Sequence, residues 1–346
     1  MREPVSTLPR YLAGPIAAAD GLRHGWFRAL GPAGRLLIRN RELRVATIFS
    51  LVIATALIGT LVAPFWLLLL GPVVWGVPHL VADIRYLVIR TGYHRRRFMA
   101  LLGGATLVWM GLGGPLGWGL VCVAGVVLMA RAGLAKRLFV AALLVASAYG
   151  FEALGHAGNL LFAHLHNFMP LVLWWYWRAR VKKLHWIPMG LLVAATWFLL
   201  SEPSVELAHQ LGGLSWFHEG MGPTVQQWRL ATGIDSTWGM RLVLLFCFSQ
   251  TIHYALWLQI LPDEDRSRAT PSTFRASVAN LRTDLGDAGL AVAILLSLGV
   301  AMWAVGDILA AHKGYFRMAH FHAHLEIMAL ALLAIEGRRT RSTLPT

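Results

Sequence analysis

Near the C-terminus the chain reads Arg317-Met318-Ala319-His320-Phe321-His322-Ala323-His324-Leu325-Glu326 and then runs on through an almost uninterrupted apolar segment. Each ionisable group in such a place costs about 2.5–3.5 kcal/mol on insertion scales, so it faces a protein interior or a cavity. His320 and His324 are one turn apart and share a helix face. That is the simplest way for a helix to offer two imidazoles to one metal ion. His322 points roughly the opposite way, towards Glu326 one turn further on. Glu326 is therefore a candidate catalytic group, with His322 as its support.

Three other segments carry polar residues of the right kind. One reads Gly76-Val77-Pro78-His79-Leu80-Val81-Ala82-Asp83, with Tyr86 following. His79, Asp83 and Tyr86 fall on one face; Asp83 is either a ligand, the carboxylate that orients a ligand imidazole, or the partner of a nearby arginine such as Arg85. In a second segment, Glu152, His156, Asn159 and His166 fall within about 40–80° of one another around a helix axis. His164 points elsewhere, and His166 is the preferred ligand with His164 its rival. An interhelical hydrogen-bond network is the structural alternative for this set. In the third, Gln250, His253, Tyr254 and Trp257 share a face, with His253 a candidate ligand and Tyr254 a candidate catalytic hydroxyl; a satisfied core histidine is the alternative.

The elements that must position these groups are membrane helices. Of 346 residues 57% are hydrophobic and 14% are charged, against about 25% charged in a soluble domain. Apolar runs of 18 or more residues recur. The reading is an all-α, polytopic transmembrane bundle of about ten spans. They are placed near 45–62, 66–90, 98–112, 116–131, 138–152, 156–177, 184–201, 240–261, 287–307 and 316–337. Residues 1–44 form a basic interfacial arm, residues 45–341 the transmembrane domain, 202–238 an external loop and 262–286 a cytoplasmic one.

The net charge of +14 sits in short basic links at 1–44, 90–97, 131–137, 178–183, 262–286 and the C-terminus. With both termini cytoplasmic, all of these fall on the inner side, as the positive-inside rule requires. That distribution argues against nucleic-acid binding. Cys122 and Cys247 lie inside apolar runs without ligand spacing and read as small buried hydrophobes. Apart from His185, interfacial at the very start of its span, every histidine within the spans lies on a helix running from outside to inside. By helix rise alone, His164, His166, His320 and His324 lie about 6–12 Å below the outer surface, and His79 and His253 about 18–20 Å. Tilts or breaks must absorb that difference if they form one site.

The segment Gly76-Val77-Pro78-His79-Leu80-Val81-Ala82-Asp83 resembles the G-x-P-H-x-x-x-D signature of the Brp/Blh family, multi-pass bacterial membrane proteins that cleave β-carotene to retinal with histidine-bound iron. The resemblance covers about fifteen residues, together with a paired His-x-x-x-His similar to His320 and His324. It implies that His79 is a metal ligand and Asp83 its supporting carboxylate.

The leading expectation is thus a histidine-ligated iron (Fe2+) oxygenase acting on a lipophilic substrate with dioxygen, in contact with membrane lipid, in a bacterial cytoplasmic membrane. Its ligands come from His79, His166 or His164, His253, and His320 with His324. Asp83, Glu152, His156, Asn159 and His322 support them. The set exceeds the needs of one iron, so some members orient others, or there are two metals. A proton- or metal-coupled transporter using the same groups is the first alternative. A b-type haem protein is the second.

Overall fold

Apolar runs in a low-dielectric solvent must satisfy their backbone internally, and helices do so. In the computed structural model, which describes residues 10–177, 183–266 and 268–337, every regular element among the described residues is a helix. In chain order these are α1 Arg10–Ala29, α2 Gly31–Arg39, α3 Arg41–Val62, α4 Pro64–Asp83, α5 Arg97–Gly111, α6 Leu116–Leu128, α7 Leu134–Ala153, α8 His156–His166 and α9 Met169–Trp177. They continue as α10 Trp186–Leu200, α11 Glu202–Gln210, α12 Pro223–Leu230, α13 Ser236–Ala255, α14 Leu261–Glu264, α15 Phe274–Gly306, α16 Ile308–Ala319 and α17 His322–Glu336. The basic link at 178–183 and the C-terminal tail lie almost wholly outside the described residues, as does the start of the N-terminal arm.

Among the described residues, seven helical segments are long and apolar enough to cross a membrane: Arg41–Val62, Pro64–Ile89, Leu134–Ala153, Lys183–Leu200, Ser236–Glu264, Phe274–Gly306 and Ile308–Glu336. This marks the chain as an integral membrane protein. Two more of the expected spans, α5 and α6, are apolar but shorter. The expected single span over 156–177 is two helices, α8 and α9, interrupted at Asn167 and Phe168.

Burial sorts these segments. Within Ser236–Glu264, Ile308–Glu336 and Pro64–Ile89, 72%, 61% and 56% of the apolar window is buried, against 6% in Phe274–Gly306. The three buried segments form the centre, and α4 packs against α13, α16 and α17. They also carry His79, His253 and His322. The central core includes Phe49 of α3, Trp174 of α9, Leu256, Trp257 and Leu325; Phe49 and Trp174 meet edge to face at 5.2 Å. A second core joins α6, α7 and α17 through Val123, Leu144 and Leu332.

The last span differs from its expected bounds. Asp307 caps α16, its side chain accepting from the Ala310 amide, so the helix starts at Ile308 rather than near 316. An aspartate before an apolar run is an N-cap signal. The segment then breaks at His320–Phe321. There His322 Nδ1 hydrogen-bonds the Ala319 carbonyl, the acceptor that the amide of Ala323 would use in an unbroken helix.

Candidate metal centre

Four imidazoles from four helices converge: His79 of α4, His166 at the end of α8, His253 of α13 and His322 at the start of α17. Ring centroids are 5.1 Å apart for His79 and His322, 5.3 Å for His79 and His253, 4.7 Å for His166 and His253, and 4.4 Å for His166 and His322. Asp83 and Glu326 join them, both wholly buried. Glu326 Oε2 is 3.2 Å from His166 Nδ1, and its Oε1 is 3.6 Å from His253 Nε2.

The depth mismatch expected from the sequence disappears because the last span begins earlier. His322 lies about 21 Å of helix rise from Ile308, close to the about 22 Å that separates His79 from Pro64. His166 sits at the α8 terminus, His322 at the α17 start and Asp83 at the end of α4. Ligating groups thus cluster where helices are interrupted, as in membrane sites generally.

Two interruptions are of a special kind. Residues Ile84–Ile89 and Leu256–Ile260 are π-helical, and they directly follow Asp83 and the His253–Tyr254 pair. A π turn inserts one residue, re-aiming the side chains beside it, and such turns concentrate at functional sites. The second carries Trp257, whose indole Nε1 donates to Glu326 Oε1 at 2.7 Å. Spacing alone places Trp257 beside His253, but its carboxylate partner comes from another helix.

The donor set fits a metal ion. The ligating atoms of His79, His253 and His322 all lie within 4.8 Å of one another, as do those of His166, His253 and Glu326. Donors about 2.0–2.2 Å from a common ion stand at most about 4.4 Å apart, so sub-ångström shifts close either set. His253 belongs to both. His79 Nε2, both nitrogens of His253 and both oxygens of Asp83 are buried without a hydrogen bond from another side chain among the described residues. Unpaired burial of so many polar atoms is costly, and shared ligation of a cation removes the cost.

No family model, curated protein or solved structure matches the chain. The geometry therefore carries the assignment alone.

Other residues singled out by spacing lie elsewhere. The expected His320–His324 ligand pair does not form, because both rings face the α5–α6 side, away from the other histidines. His320 Nδ1 bonds the Met110 carbonyl at 2.8 Å. His324 turns towards α6, with Nε2 3.2 Å from the Leu116 carbonyl, and packs against Phe162. His322 and Glu326, expected on the opposite face, are the members of this segment that enter the cluster. His164 bonds the Leu230 carbonyl at 3.0 Å and leaves His166 as the member of that rival pair in the cluster. Glu152, His156 and Asn159 are exposed. Gly155, with φ +54°, turns the chain between α7 and α8, so the shared face of Glu152 and His156 does not exist.

Tyr254 keeps its expected place, its ring 4.7 Å from that of His79. Its hydroxyl accepts from Gln250 Nε2 at 3.1 Å and hydrogen-bonds Tyr315. Tyr315 is a site residue that spacing alone does not reveal; its hydroxyl is 3.5 Å from His79 Nδ1. The Asp307 cap is the signal that could have placed it on a helix facing α4. Gly76 makes the approach possible, since a Cβ there would overlap the Tyr315 ring. Gly76→Ala is expected to cost about 1–3 kcal/mol by overpacking, read as a lowered unfolding midpoint in detergent.

Proposed function

We propose that this chain is a membrane-embedded metalloenzyme whose histidine-rich centre holds non-haem iron and oxidises a lipophilic substrate with dioxygen. The observation that carries the reading is the convergence of the ligating atoms of His79, His253 and His322 and of His166, His253 and Glu326, each set within 4.8 Å. The resemblance of the 76–83 segment to the carotenoid-cleaving Brp/Blh proteins supports iron and a polyene substrate. Ten membrane crossings, both termini cytoplasmic, in a bacterial inner membrane complete the proposal, with α5, α6 and the α8–α9 pair supplying the three crossings beyond the seven long ones.

Iron held by these residues would supply activation of dioxygen at a site with open coordination positions. The remaining work falls to the chain. His79 and His253 are closed in by the packing of α4 against α13, whereas His166 and His322 are half-buried and leave that side approachable. Trp257 fixes one Glu326 oxygen and aims the other towards His166. The linked hydroxyls of Tyr254 and Tyr315 offer a hydrogen bond beside the centre. The helices around the centre are apolar, which admits a hydrocarbon and excludes water.

The transporter reading is less well supported, because the ionisable groups gather at one place rather than spreading along a path. Haem is disfavoured by crowding: adjacent imidazoles, with centroids 4.4–5.8 Å apart, leave no slot for a macrocycle between them.

The test is metal analysis and an absorption spectrum of protein purified in uncharged detergent, followed by incubation with β-carotene and oxygen. One or two irons per chain, no Soret band and an aldehyde product are expected. A Soret band, or folded protein that binds no transition metal, overturns the proposal.

A further inference from the structure

Beside the centre lies a pocket of about 830 Å³, bounded by α16, α12, the 111–113 turn and the outer parts of α4, α8 and α13. That is within the range of about 300–1,000 Å³ usual for ligand sites. Its walls are largely apolar, with Leu68, Ala163, Leu230, Phe246 and Phe316 among the lining residues. Two features give it polarity along its length. Arg229, Lys313 and Arg317 line it and no carboxylate does. Lys313 and Arg317 are exposed and Arg229 is half-buried; none of the three forms an ion pair among the described residues. By contrast, Gln250 also lines the pocket but is 5% exposed. Its amide donates to Tyr254, while its Oε1 is buried without a partner. Gln250 and Tyr254 therefore link this pocket to His79.

We infer that the pocket receives an amphiphile with an anionic head and a long apolar tail. The head sits against Arg229, Lys313 and Arg317, and the tail runs inward towards Gln250 and Tyr254. A cluster of cations free of carboxylates attracts an anion, and guanidinium groups suit carboxylate and phosphate oxygens. The apolar wall accommodates a chain and not a sugar or nucleotide. Resting on the reading of the centre as an oxidase of lipophilic molecules, the inference adds to the uncharged polyene a second class of molecule that reaches it: one anchored by its charged end, so that a fixed stretch of its tail lies near the histidines.

The test is equilibrium binding, followed by tryptophan fluorescence in dodecyl maltoside, of palmitate, lysophosphatidylglycerol and hexadecanol. Palmitate and lysophosphatidylglycerol share the anionic chemistry and separate a free acid from a lipid headgroup. At least one of them is expected to bind about tenfold or more tighter than hexadecanol. The double variant Lys313→Ala/Arg317→Ala, altered only at exposed positions, is expected to erase that preference. Ala163→Trp, which fills the pocket, is expected to weaken all three ligands. Equal affinities in the wild type, or an unaltered preference in the double variant, overturn the inference.

Metal content, measured on the same samples, is an independent readout. Protein that prefers the anionic ligands yet holds no metal keeps the pocket and sinks the oxidase. Protein that holds iron and shows no preference does the reverse.

Discussion

Replacing His253 by alanine is expected to strip the protein of its metal, whereas replacing His324 or His164 is not. His253 is the one side chain common to both ligand sets. Loss of a residue that merely orients a ligand costs about 10–100-fold in metal affinity. Loss of the shared ligand is expected to exceed that, leaving purified His253→Ala protein with little or no iron by elemental analysis. His324 and His164 instead bond the Leu116 and Leu230 carbonyls, so His324→Ala and His164→Ala should retain near-stoichiometric metal. The double variant His320→Ala/His324→Ala, which spacing alone would single out, belongs with them. Metal lost from that double variant and kept in His253→Ala would refute the assigned centre.

The second large effect is expected far from the histidines. Arg44, in the first turn of α3, is 1% exposed. It binds Asp263 through Nε and Nη2, both at 2.8 Å. It also donates to the carbonyls of Leu37 at 2.7 Å and Ala269 at 2.8 Å. One guanidinium thus ties α2 and α3 to the chain just beyond α14. Breaking a buried pair by removing one partner costs about 3–5 kcal/mol, because the other charge stays buried alone. Arg44→Ala is expected to lower stability by that amount, measured as urea-induced unfolding in mixed micelles. Arg44→Lys should recover only part of the loss, since an ammonium cannot reach two carboxylate oxygens and two carbonyls in one plane. Full stability in Arg44→Ala would show that other contacts hold these segments together. Metal content separates the two predictions: His253→Ala should fold without iron, and Arg44→Ala should lose stability first.

Much of the helical architecture is legible in the sequence because hydropathy is summed over many residues and tolerates local error. The runs expected at 45–62, 138–152 and 240–261 fall within the long helical segments Arg41–Val62, Leu134–Ala153 and Ser236–Glu264. Even 156–177, split in two, is helical on both sides of its break. Boundaries are less legible. Hydropathy starts the last span near 316 because Lys313 and His312 look like loop residues. The capping aspartate at 307 outweighs them, and His312 is satisfied by the Leu68 carbonyl at 3.1 Å.

The candidate site divides along the same line. Residue type and hydropathy suffice to show which segments carry ionisable groups into an apolar interior, and so to name His79, Asp83, His166, His253, His322 and Glu326 among the candidates. Those choices rest on composition and on the cost of burying charge, neither of which depends on how the helices meet. Which histidines share a centre is a matter of packing in three dimensions. Helical phase predicts a common face only while the helix is unbroken, and here it is broken at Gly155 and at Asn167. Two π turns shift it again beside Asp83 and Tyr254. Each interruption rotates the downstream residues by an amount that spacing does not encode. Around Phe321 the backbone stays right-handed helical, so His322 shares a face with Glu326 and His320 shares the other with His324; packing alone decides that the first of these faces meets the centre.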